Sequence, residues 1–194
     1  MISKLAKGIA HFFVVQNITE ESKEIIYAYG MELLISDVLN TLIVLLIALI
    51  SHTLPAVIVF VAVFMGLRKF VGGYHANSHL SCILTLVVVM LIFSYGICNV
   101  SGKLTWLLSV GFSALALPII FCIAPVPHPN KPMSEEKGMK LRRISRILAV
   151  FLSAFAVILM AFRNNELSLY VSSGILLSAI AALLGRFLNR GDNS

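Results

Sequence analysis

The chain is predicted to be an all-α, polytopic integral membrane protein with about six transmembrane helices, both termini inside, and an N-terminal amphipathic helix at the interface. Three observations predict this. Of 194 residues, 59% are hydrophobic and only 12% are charged, with a mean hydropathy of +0.95; a soluble domain is nearer one half apolar. The apolar residues gather into six runs, at 33–50, 54–67, 80–98, 104–124, 144–162 and 167–185. The basic residues fall in alternate connections between those runs, as the positive-inside rule requires of a protein that crosses repeatedly.

In chain order, residues 1–15 place Ile2, Leu5, Ile9, Phe12 and Phe13 at helical spacing, with Lys4, Lys7 and His11 between them. That pattern suits a helix lying in the interface rather than crossing it. The apolar stretch 9–15 is too brief for a cleavable signal and leads into polar residues 16–24, so the N-terminus is expected to stay on. Asn17-Ile18-Thr19 matches a glycosylation triplet but falls on the inferred cytoplasmic side and is read as chance. Most of the runs reach the ~17–25 residues that a spanning helix needs. The second is short and contains Pro55, so it crosses only if Arg68 and Lys69 snorkel at its end. The longest polar piece, 125–143, opens with Pro125, Pro127, Pro129 and Pro132, which stop a helix and hold an extended connector. Ser134, followed by Glu135 and Glu136, then reads as a helix start that can run through the basic residues 137–146 into the fifth span. No repeat or second domain appears, and 1–194 is taken as one membrane-embedded domain.

With the N-terminus inside, all of the 15 basic residues except Lys103 and Arg163 are cytoplasmic. Topology therefore accounts for the net charge of +6. No face interleaves basic and aromatic residues, which excludes a nucleic-acid partner; the partner that composition demands is the lipid bilayer. Three cysteines do not form a disulfide framework. Cys98 and Cys122 sit among apolar neighbours and read as packing residues.

Chemistry concentrates in the break after the second run, Arg68-Lys69-Phe-Val-Gly72-Gly73-Tyr-His75-Ala-Asn-Ser-His79-Leu-Ser-Cys82. On one continuous helix, His75 and Cys82 would lie about 10 Å apart along the axis, too far to hydrogen-bond. The Gly72-Gly73 pair permits a fold-back, with Asn77 or Ser78 capping the next helix and Cys82 in roughly its second turn, where the dipole still favours negative charge. A thiol beside an imidazole can act as a nucleophile, and the imidazole can later protonate a leaving amine. His79, three residues before Cys82 on the same helical face, is a rival base that needs no fold-back. A metal site of His75, His79 and Cys82 fits by ligand type, but its spacing matches no standard zinc pattern and a fourth ligand is lacking. Spacing leaves these alternatives open, together with the reading of all three as interfacial or packing residues. Asp37 and Asn40, three apart in the first span, are costly to bury unless paired or wet. Asp37 could orient His75, pair with Arg68, or mark with Glu32 where the helix enters lipid. No oxyanion donor stands out; the amides near Ser81 and Cys82 are the default.

The pattern Arg68-x3-Gly72-Gly73-x-His75-Ala76-x5-Cys82 resembles the signature of the AgrB family, accessory gene regulator protein B. The similarity extends to chain length, multi-span hydropathy and the 125–132 loop with Asn130-Lys131-Pro132. The resemblance implies a membrane-embedded cysteine endopeptidase of bacterial quorum sensing, with Cys82 as nucleophile and His75, rather than His79, as general base; Arg68 and Gly73 match further positions of the pattern. Such enzymes cleave the C-terminal tail from a short AgrD-like propeptide, leaving a thioester that an internal cysteine or serine attacks to give a thiolactone or lactone. The resemblance is compatible with a homodimer, and it implies a site near the cytoplasmic face of the bacterial cell membrane. Neither a cofactor nor a metal is expected. Arg68, Lys69 and the 137–146 cluster could draw in an acidic propeptide tail. The rival reading is a small transporter or peptide exporter whose polar path is lined by Asp37, Asn40 and the histidines.

Overall fold

A computed structural model describes residues 2–16, 18–73, 79–126 and 134–191. Seven α-helices account for most of them: α1 (Ile2–Val15), α2 (Glu24–Ile50), α3 (Leu54–Val71), α4 (His79–Leu91), α5 (Lys103–Ile123), α6 (Glu135–Ala161) and α7 (Asn165–Gly191). The helix begun by α4 continues through a π-helical segment, Ile92–Gly96, and a 3-10 turn, Ile97–Asn99. No strand occurs among the described residues. Among the described residues, six helical segments are long and apolar enough to cross a membrane: α2, α3, Leu80–Asn99 (α4 with its π-helical and 3-10 continuation), α5, α6 and α7.

The helices outrun the apolar stretches. α2 starts at Glu24 and spans 27 residues, about 40 Å at the α-helical rise, so its first turns extend past the hydrocarbon. α6 likewise begins at Glu135, with Ser134 at its cap position in an extended conformation. Hydropathy marks the part of a helix that meets lipid; backbone hydrogen bonding continues into the interface. Pro55, a weak point of the second run as read from the sequence, sits in the first turn of α3, where its missing N–H breaks no intrahelical bond. α3 is therefore a full 18-residue helix carrying Arg68 and Lys69 in its last turn.

α1 packs along the start of α2 through the fully buried Ala6 and Ala10. Phe13 meets Tyr27 edge-on with ring centroids 6.2 Å apart, and His11 Nδ1 lies 3.4 Å from Glu24 Oε1. Leu5 and Phe12 are exposed beside Lys4 and Lys7, the amphipathic disposition expected of an interfacial helix.

α7 is the central helix, packed against α3, α5 and α6. Lipid is as apolar as leucine, so helices in it associate by close packing and hydrogen bonds rather than by escape from water. α7 meets that requirement with small residues. A Cβ on Gly174 would come within 2.9 Å of Val63 Cγ1 and 3.0 Å of the Phe60 carbonyl, so α3 and α7 touch backbone to side chain there. Ser109 Oγ of α5 lies 2.6 Å from Ser168 Oγ and 2.8 Å from Ser172 Oγ, and Ser168 donates to the Ala156 carbonyl of α6 at 2.8 Å. This buried hydroxyl chain joins three helices without leaving its members unpaired. A second cluster, with Ala48, Phe60, Met90 and Phe93 at its heart, seats α2, α3 and the α4 segment together; Phe60 and Phe93 stack at 4.1 Å, and Phe93 meets Tyr170 of α7 at 5.8 Å.

Gly174→Ala is expected to destabilise the bundle by about 1–3 kcal/mol through overpacking, read as a lowered thermal midpoint in detergent. Gly111→Ala on α5, where an added Cβ meets nothing within 4 Å, should leave that midpoint unchanged or raise it.

Candidate functional site

The site is built on the turn that ends α3. Gly72 has φ +74° and Gly73 φ +140°, both in the region that disfavours a side chain. Space excludes one as well: a Cβ on Gly72 would strike the Val126 carbonyl oxygen, and one on Gly73 would lie 2.8 Å from the Ala181 backbone of α7. Val126 N–H donates to the Val71 carbonyl at 2.9 Å, closing a one-residue parallel bridge between the end of α3 and the segment after α5. A turn at the glycine pair is thus present, held against two other elements; the fold-back that would carry His75 to Cys82 runs through 74–78, outside the described residues.

α4 starts at His79, so the span of the motif is not one helix and Cys82 is the fourth residue of α4. Asn40 of α2 reaches it: Asn40 Nδ2 donates to Cys82 Sγ at 3.6 Å. The Asn40 Oδ1 atom is buried and finds no donor among the described residues. Arg68 lies on α3, half-buried, with its guanidinium carbon 5.3 Å from the Phe64 ring centroid and its charge within electrostatic range of Cys82. An amide from α2 therefore meets the sulfur of α4, with a cation of α3 in the same region.

The other residues singled out in the sequence divide. Lys69 is exposed beside Arg68. Asp37 is exposed on α2, and among the described residues its carboxylate forms no ion pair; Asn40, one turn further along α2, is the member of that pair that meets Cys82. His75 lies in 74–78, outside the described residues, and the side chain of His79 is likewise outside them. Among the described residues no three His, Cys, Asp or Glu side chains gather as a metal-ligand set. The basic cluster also splits. Arg146 Nη2 donates to the Phe121 carbonyl at 2.7 Å with its guanidinium over the Phe121 ring, and Arg186 Nη1 donates to the Cys122 carbonyl at 3.4 Å. These two arginines satisfy carbonyls left open at the C-terminus of α5, where a cation also complements the dipole. Lys137, Lys140, Arg142 and Arg143 remain exposed.

Asn40 is the participant that sequence reasoning undervalued. Its signal was a carboxamide inside a spanning run, which is expensive in lipid unless something uses it.

Residues 4–182 match the family model of accessory gene regulator B. The chain is 23% identical to accessory gene regulator protein B of Staphylococcus lugdunensis over 182 residues, covering 94% of each chain. To accessory gene regulator protein B of Staphylococcus epidermidis it is 22% identical over 183 residues, covering 94% of this chain and 91% of the relative. No solved structure matches it.

Gly72→Ala and Gly73→Ala combine positive-φ strain of about 1–2 kcal/mol with a clash against main-chain atoms, and each should sharply reduce the fraction of monodisperse, folded protein in detergent. Gly102→Ala, with φ +67° but open space around the new Cβ, should show the strain alone and remain folded.

Proposed function

Because the chain belongs to the accessory gene regulator B family, a quorum-sensing membrane family associated with the AgrD propeptide, we propose that it is a cysteine endopeptidase and peptide cyclase. It removes the C-terminal tail of a short AgrD-like propeptide and closes the remainder into a thiolactone or lactone. The observation that carries this reading is the Asn40 amide donating to the Cys82 sulfur, with the charge of Arg68 within electrostatic range and a turn of two positive-φ glycines earlier in the same motif. The Cys82 sulfur thus has a polar donor inside a spanning segment.

In the proposed cycle His75 takes the Cys82 thiol proton, and the sulfur attacks the carbonyl carbon of the scissile bond. The tetrahedral oxyanion collapses, the C–N bond breaks, and the tail leaves as an amine with the proton returned from His75. The propeptide core is left as an S-acyl thioester on Cys82. An internal cysteine thiol or serine hydroxyl of the same peptide gives its proton to His75 and attacks that carbonyl. The C–S bond to Cys82 breaks, the ring closes, and Cys82 recovers the proton. A site between helices at the membrane edge suits this sequence because water would otherwise hydrolyse the thioester. In this reading the basic end of the bundle is cytoplasmic, in the bacterial cell membrane, and the exposed residues Lys137, Lys140, Arg142 and Arg143 attract an acidic tail. A homodimer is compatible with it.

Cys82→Ala is expected to abolish release of the tail from a tagged propeptide while membrane insertion is unchanged; persistent cleavage would overturn the enzyme reading and favour a transporter. His75→Ala should lose cleavage and His79→Ala should keep it. If the basic face recruits the tail, KM for cleavage rises with salt as screening shortens to about 3 Å at 1 M, whereas kcat holds.

A further inference from the structure

We propose that Asn40 is a catalytic residue of this centre, its Nδ2 donating to the Cys82 sulfur throughout the cycle and stabilising the anionic form that attacks and later departs. The inference rests on the cysteine-peptidase reading and adds a residue from a helix that the sequence motif does not include.

Three features of the placement support it. Asn40 lies 42 positions from Cys82 in sequence, on α2, and contacts the reacting atom itself at 3.6 Å rather than a neighbouring group. A sulfur is a poor acceptor as a thiol and a good one when ionised, so a carboxamide spent on it gains its full value only if the sulfur becomes an anion. The other end of the same amide, Oδ1, is buried with no donor among the described residues. A carboxamide kept for helix packing satisfies both ends, since an unmet acceptor in a spanning segment costs stability. Among the described residues the donor end is satisfied and the acceptor end is not, as expected where chemistry rather than folding fixes the side chain.

Among the described residues, the charged and titratable groups of the elements around the pair are Arg68 of α3, whose charge is within electrostatic range of Cys82, Asp37 one turn before Asn40 on α2, exposed, and Glu32 about two turns before it; α4 carries His79 at its start.

The test uses the full-length protein in detergent or liposomes, in a Cys98→Ala/Cys122→Ala background so that Cys82 is the one thiol. Asn40→Leu is close to Asn in size and removes the polar ends; Asn40→Asp keeps the shape and replaces the donor with an acceptor. Iodoacetamide alkylation of Cys82 at neutral pH is expected to fall about 10- to 100-fold in Asn40→Leu and further in Asn40→Asp. Propeptide cleavage should lose kcat by a similar factor with KM little changed. The thermal midpoint of Asn40→Leu should be equal to or above that of the parent, because a buried acceptor with no donor among the described residues has gone. Unchanged alkylation, whatever the midpoint, would make Asn40 a packing residue and overturn the inference, as would propeptide cleavage with an unchanged kcat. Cleavage that survives Cys82→Ala would instead bring down the peptidase reading, and the alkylation result would still report on the Asn40–Cys82 contact by itself.

Discussion

The close approach of α7 to its neighbours is the constraint from which the rest of the molecule follows. In hydrocarbon nothing drives helices together except packing and hydrogen bonds, and both require backbones to come near. Gly174, facing Val63 and the Phe60 carbonyl, provides that nearness towards α3; Ser168 and Ser172 provide it towards α5 and α6. Ser172 and Ser178 also bond the carbonyls of the preceding turn, so a polar helix face can be buried without orphaned hydroxyls. α2, by contrast, stands at the edge with most of its leucines exposed, and it is held through Ala48, the Phe60–Phe93 stack and its contacts with α1 and α4.

The same constraint shapes the end of the bundle that holds the candidate site. Helix ends carry four open donors or acceptors each, and in or near lipid water cannot be relied on to meet them. The Val71–Val126 bridge, Arg146 on the Phe121 carbonyl and Arg186 on the Cys122 carbonyl meet several at once. They also tie the turn after α3 to α5, α6 and α7. The glycine turn can approach Val126 and Ala181 closely only because it lacks side chains.

Much of this was legible in the residues. The hydropathy runs located all six spanning helices, the Ser134-Glu135-Glu136 start placed α6, and the glycine pair announced a turn where positive φ is in fact found. The apolar runs misjudged lengths, because a helix stops where its backbone bonds stop rather than where lipid does. Pro55 looked like a weakness and is harmless at a first turn. Arg146 looked like one more basic residue in a solvated cluster, yet it is folded onto a helix end. In the site, Asp37 drew attention as the ionisable residue of the first span, whereas Asn40 makes the contact; the two differ by one turn, and periodicity cannot say which face of α2 meets α4.

Composition, run length and charge asymmetry were enough to establish a six-span helical membrane protein, since each reports a local balance between side chains and their solvent. The motif was enough to single out Cys82 and its glycine turn, because φ preferences and nucleophile chemistry are also local. Which side chain stands opposite the sulfur, which arginines serve the fold and which stay exposed, and that α7 rather than α2 lies at the centre were decided only when helices distant in the chain packed. Those choices depend on interhelical distances of a few ångströms, set by the size of residues such as Gly174 and Ala181 on partners that sequence order does not bring together.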